Sequence, residues 1–110
     1  MREYKVKVSE AAEIDMEDIE EYITDVLGNP IAADNHMRAF YHVTQSLKIS
    51  PHSALVRDET LAKRGLRWVA AKNYMMFYIV DEEKKKVDVL RVLHGRRNWA
   101  NILMNIDDSV

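Results

Sequence analysis

The sequence predicts an α+β fold: a strand, an antiparallel helical hairpin, a three-strand antiparallel meander and a short C-terminal helix, with the helices on one face of a mostly antiparallel sheet. Two observations carry this. Apolar residues between Ser9 and Ile49 recur mostly three or four apart, whereas from Leu66 to Leu93 they alternate or run continuously. The placement of Gly, Pro and charged stretches then sets where the elements begin and end.

Tyr4, Val6 and Val8 alternate with Lys5 and Lys7, the period of a half-buried strand. Ser9 stands where a helix N-cap belongs, and Glu10, Glu13 and Asp15 follow it at the positive end of the helix dipole. Ala12, Ile19, Tyr22, Ile23 and Val26 form the apolar face of that helix, and its other face is carboxylate. Gly28-Asn29-Pro30 closes it: glycine suits a left-handed cap and proline suits the first position of the next helix. The second helix runs to about Ile49, burying Ala33, Met37, Phe40, Val43 and Leu47, and Ser50-Pro51 ends it. A link this short makes the two helices an antiparallel hairpin.

Leu66, Trp68 and Ala70 alternate with Arg67 and Val69 in a strand. Tyr74 to Val80 is a nearly unbroken apolar run, which predicts a central strand covered on both faces. The charged stretch Asp81 to Lys85 is a turn, and Lys86 or Val87 to Leu93 returns as the next strand of a hairpin. Trp99, Ile102, Leu103 and Ile106 suggest a short last helix, with residues 104–110 a frayed tail. The whole, residues 1–110, reads as one domain.

Composition narrows the class. With 47% hydrophobic and 31% charged residues the chain has the balance of a globular protein. It contains no cysteine, which excludes disulfide and thiolate chemistry and fits a cytoplasmic location. No apolar run approaches the roughly 20 residues that span a bilayer. The formal charge of -2 is uneven: 5 Lys/Arg against 10 Asp/Glu in residues 1–50, and 11 against 8 in residues 51–110. A surplus of three positive charges is thin for a dedicated nucleic-acid binder. Neither a glycine-rich phosphate loop nor metal-ligand spacing is present, so no cofactor and no metal are expected. His36 and His42, six apart on a helix, do not share a face. The acidic stretch from Glu10 to Asp25 is either a solvated face or a dock for a basic partner.

The order of elements and a set of residues resemble the RelE/ParE superfamily of toxins from type II toxin–antitoxin modules. The match is strongest in Tyr74, Tyr78, Val80-Asp81-Glu82, Val87, Val89 and the run Arg91-Val92-Leu93-His94-Gly95-Arg96-Arg97. Gly65-Leu66-Arg67, the spacing of Ala12 and Asp15, and Gly28-Asn29-Pro30 with Ala32-Ala33 support it. The likeness runs from about residue 4 to residue 103. It implies a growth-inhibiting protein held in check by a cognate antitoxin, which lies over the sheet and helical groove and is expected to contact Trp68, Tyr74 and Phe77.

The superfamily divides by target. RelE-like members cut messenger RNA in the ribosome; ParE-like members inhibit DNA gyrase without cutting RNA. Cleavage at a 2′-hydroxyl needs a base, an acid and a fixed cation. RelE-like toxins carry an Arg just after the Tyr that opens the third strand, and here that position is Met75. What remains is the cluster of Arg91, His94, Arg96 and Arg97, which would supply the catalytic groups of a nuclease. His94 alternatively closes its strand with a hydrogen bond. ParE-like relatives carry Leu-His-x-Arg-x-Asp here, against Leu93-His94-Gly95-Arg96-Arg97-Asn98 in this chain, where Asn98 can still cap the following helix. The resemblance therefore favours gyrase as target, bound through His94, Arg96, Arg97, Asn98 and Trp99, over the ribosome and its mRNA. A non-toxic, antitoxin-binding relative is the third reading.

Overall fold

A computed structural model describes residues 3–105. The chain runs β1 (Lys5–Val8), α1 (Glu10–Glu21), a π-helical turn (Tyr22–Val26), α2 (Pro30–Leu47), α3 (Glu59–Lys63), β2 (Arg67–Ala71), β3 (Tyr74–Asp81), β4 (Lys86–His94) and α4 (Trp99–Met104). The four strands form one sheet in the order β1-β4-β3-β2. The meander β2-β3-β4 is antiparallel, and β1 closes the far edge parallel to β4, with Val6 opposite Val87.

The helix boundaries follow from their caps. Ser9 Oγ accepts the Ala12 N–H at 3.1 Å and donates to the Leu90 carbonyl at 2.9 Å, so the same residue starts α1 and ties it to β4. Gly28 takes the left-handed conformation (φ +61°), Asn29 accepts from Ala32 N–H, and Pro30 opens α2. As expected, the apolar run Tyr74 to Val80 is an interior strand: Met76, Phe77 and Tyr78 are completely buried.

Both faces of the sheet are covered. Ala12, Ile19, Ile23, Ala33, Phe40 and Leu47 of the long hairpin pack on Met76, Tyr78, Val87, Val89 and Val92. The opposite face is filled by Val56, Leu61, Leu66, Phe77, Leu90, Leu93 and Leu103, with Trp68, Met75 and Trp99 against them. The expectation of helices on one face therefore holds for the hairpin and is corrected for α3 and α4, which cover the other side. Residues 51–65, without long-range periodicity, concealed α3. Its signals are local: Asp58 accepts the Leu61 N–H at 3.0 Å, and Gly65 (φ +83°) follows its end.

Two further differences concern helix ends. Tyr22 and Val26, expected on the buried face of α1, are 50% and 67% exposed. The π-helical turn inserts extra backbone after Glu21 and turns Val26 out, while Ile23 stays in the core. Of the expected frayed tail, residues 106–110 lie outside the described residues. Met104 and Asn105 instead complete α4, with Met104 partly buried against the second cluster.

At the sheet end remote from His94, Glu82 accepts hydrogen bonds from His52 and from Tyr4 Oη, with Lys85 alongside. These bonds, His52 first, draw the Glu82 carboxyl down from 4.5 to about 2. A depressed folded-state value adds stability that is complete above about pH 4.5 and is lost as pH falls through about 2. Glu82→Gln is expected to lower the melting temperature slightly at pH 7, where the contribution is complete, and to flatten its fall below pH 4.5 by the same amount, both effects kept small because the group is solvent-exposed.

Candidate functional site

The site is built where β3 and β4 end against α1. Phe77 pairs with Arg91 and Tyr78 with Val89, so Leu90 is an extra residue that bulges β4. Leu90 packs toward α3 and α4. Arg91 is delivered to the α1 side, where Nε and Nη2 donate to the two Asp15 oxygens at 2.7 and 2.8 Å. Asp15 Oδ2 also accepts the Val92 N–H at 2.9 Å, a backbone donor just beyond the end of β1. The side chains are only 22% and 11% exposed. This bidentate pair keeps the guanidinium firmly in its charged form and commits it to holding α1 on the sheet.

His94 is the last residue of β4, opposite Tyr74. Its Nδ1 accepts the Arg96 N–H at 3.1 Å, so the neutral ring carries its proton on Nε2. The His94 carbonyl accepts from Arg97 N–H at 3.0 Å, and Gly95 N–H donates to the Asn73 carbonyl at 3.1 Å. The His94 ring stands edge-on to Tyr74 at 5.3 Å, and Tyr74 meets Phe40 at 5.8 Å and His36 at 5.9 Å in the same way. Burial, helped by the nearby Tyr22, pushes the Tyr74 hydroxyl above its usual range, so at neutral pH it is a neutral donor.

A groove of about 370 Å³ opens beside His94, with Asp15, Asp18, Tyr22, Tyr74 and Arg97 on its walls. A second depression of about 390 Å³ continues past Tyr22, Tyr74 and His94 to His36 and Leu27. Among the described residues lining the first, Arg97 carries the one full positive charge, and of the two carboxylates there Asp15 is paired with Arg91, which leaves Asp18. Among the described residues no group of three or more His, Asp or Glu side chains is placed to hold a metal.

The structure thus brings His94 and Arg97 to one groove and removes Arg91 from it into the Asp15 pair. Arg96 and Asn98 are exposed in the turn after β4. Asn98 holds the N-cap position of α4 but makes no side-chain cap bond, which corrects the expected cap. Trp99 is half-buried, its ring 5.4 Å from Phe77. Of the residues expected to touch an antitoxin, Trp68 is half-buried on the edge strand β2 and Tyr74 is half-buried at the groove. Phe77 is a correction: at 0% exposure, beneath Trp99, it has no surface to offer.

Met75 packs into the second cluster with Phe77 and Leu93. Neither Arg67 nor Lys72 lines the His94 groove. Arg67 sits opposite Tyr78, four residues along β3 from Tyr74, and its Nη1 donates to the Ser53 carbonyl. Lys72 stands in the β2–β3 turn with φ +57°. The residues missed from sequence are Asp15 as an anchor, and Tyr22 and His36 as groove walls. Asp15 could have been found from its helical spacing, three residues after Ala12 and four before Ile19, which sets this one carboxylate on the apolar face of α1.

The family model for the ParE toxin of type II toxin–antitoxin systems (parDE) matches residues 6–99. The chain belongs to the ParE toxin family. Solved structures share its fold. A chain of the chromosomal ParDE toxin–antitoxin system from P. aeruginosa superposes with TM-score 0.68 at 16% identity, covering 83% of this chain and 95% of that one. A chain of the RelBE2 toxin–antitoxin complex from Mycobacterium tuberculosis gives 0.60 at 21% identity, covering 84% and 98%. The archaeal RelE–RelB complex from Pyrococcus horikoshii OT3 gives 0.53 at 18%, covering 86% and 98%. No curated protein sequence matched. In this ParE-family chain the Asp15–Arg91 pair and the Ser9 bond to Leu90 together tie the helical hairpin to the sheet. Among the described residues, no helix is long and apolar enough to cross a membrane.

Proposed function

We propose that this ParE-family protein is the growth-inhibiting toxin of its module, neutralised by a cognate antitoxin, and that it acts in the cytoplasm by binding DNA gyrase and not by cutting RNA. One observation carries the preference for binding. The strand position where a nuclease needs a fixed cation is Met75, a neutral side chain that is half-buried against the cluster under α3 and α4. Phosphoryl transfer without such a cation forfeits several kcal/mol of transition-state stabilisation. His94, Arg96, Arg97, Asn98 and Trp99 then serve as a recognition surface for the target. The antitoxin contacts Trp68 and Tyr74, a reading supported by the fold shared with toxins from ParDE, RelBE2 and RelE–RelB complexes.

A ribosome-dependent nuclease is the second reading, favoured by the shared groove of His94 and Arg97 with Arg96 close by. Expression in a host cell separates the two. The binding reading predicts growth arrest with relaxed plasmid DNA and intact transcripts, relieved by co-expressing the antitoxin. Arg97→Ala is expected to weaken arrest about tenfold in the inducer level required, the loss of one charge-assisted contact. Cut transcripts in the wild type, restored by His94→Ala, would overturn the binding reading. Full growth under induction would instead support a non-toxic, antitoxin-binding protein.

A further inference from the structure

Between Ser9 and Met37 the chain holds nine Asp or Glu residues and neither Lys nor Arg. Two of the nine are neutralised within the fold, Asp15 by Arg91 and Asp34 by Arg38. Others crowd the C-terminal end of α1, where the helix dipole is already negative and the last turn has no basic residue. That arrangement costs stability, and a local rule broken without compensation within the fold points to a use outside it.

Apolar exposure concentrates at the same place. Of eight large hydrophobic side chains exposed among the described residues, four lie between residues 22 and 31: Tyr22 (50%), Val26 (67%), Leu27 (58%) and Ile31 (75%). The π-helical turn holds Tyr22 and Val26 there, and such turns recur at functional positions. A depression of about 320 Å³ at the tip is lined by Tyr22 and Val26 together with three carboxylates, those of Asp18, Glu21 and Asp25. None of the three makes an ion pair with a described residue.

We propose that this tip of the α1–α2 hairpin is a docking surface for a cationic, amphipathic protein segment. Tyr22, Val26, Leu27 and Ile31 cover its apolar side, and Asp18, Glu21 and Asp25 pair with its lysines or arginines. Charge selects the occupant. A second copy of the chain would bring the same carboxylates against these, and a nucleic acid or an anionic lipid surface would be repelled likewise. A basic protein segment satisfies both the apolar patch and its rim. The inference is independent of whether the target is gyrase or the ribosome.

The test titrates isotope-labelled protein with helical peptides of about 18 residues, built from leucine and lysine at helical spacing, from leucine and glutamate, or from serine and lysine. Amide shifts confined to residues 18–31 are expected with the leucine–lysine peptide, and binding at least about tenfold weaker with the other two. Val26→Ser with Ile31→Ser, and separately Asp18→Asn, Glu21→Gln and Asp25→Asn together, should each weaken binding about tenfold or more. The second set changes only exposed, unpaired groups and so keeps the fold intact if the first does not. Glu10→Gln with Glu13→Gln, at the opposite end of α1, should change nothing. Equal loss in that control, equal binding of the serine–lysine peptide, shifts spread along α1, or self-association through the tip would each overturn the proposal.

Discussion

Phe77→Ala is expected to destabilise the protein by about 3–5 kcal/mol, the cost of emptying a fully buried aromatic site. Phe77 has no exposed surface, and it lies between the sheet and Trp99. Removing the ring strips a contact from Trp99, from Leu93 and from the floor under α4, which a six-residue helix cannot refill by moving alone. Domains of this size are stable by only about 5–15 kcal/mol, so a large share of the total is at stake. A fall in the urea midpoint with unchanged slope would register it. A variant of near wild-type stability that had lost only antitoxin affinity would reinstate Phe77 as a contact residue and contradict the packing described.

Asp15→Ala is expected to cost about 3 kcal/mol. The substitution leaves Arg91 without its carboxylate in a site 22% exposed, and leaves the Val92 N–H without an acceptor. The partial exposure of the guanidinium keeps the figure at the low end for a buried pair. At about 4 °C per kcal/mol, the melting temperature should fall by roughly 12 °C. Arg91→Met in the same chain should recover part of that loss, because the stranded charge is removed. Strict additivity of the two substitutions would show that the pair is not coupled.

Much of the fold was legible because period and punctuation agreed. Ser9, Gly28 and Pro30 each did what their chemistry suggests, and the apolar run at Tyr74 marked an interior strand. What could not be read were features set by backbone insertions. The π-helical turn after Glu21 moved Tyr22 and Val26 from core to surface, and the Leu90 bulge in β4 decided that Arg91 meets Asp15. Neither insertion changes residue composition, so neither has a signature in one sequence. Phe77 was misjudged in the same way: aromatic side chains serve interfaces and cores alike, and only the position of α4 and its Trp99 decides between them. His94 was identified as a strand-closing residue or a reactive one, and its Nδ1 bond to Arg96 describes how the first of these is achieved.

The Asp15–Arg91 anchor and the half-buried Met75 carry one consequence for mechanism: the groove keeps a histidine and one arginine, without the strand cation that RNA cleavage requires. Titrating the purified protein into a gyrase supercoiling reaction tests that consequence most directly, with a ribosome-bound transcript in a parallel tube. Dose-dependent loss of supercoiling beside an intact transcript is the predicted result. Undisturbed supercoiling beside a cleaved transcript would contradict it.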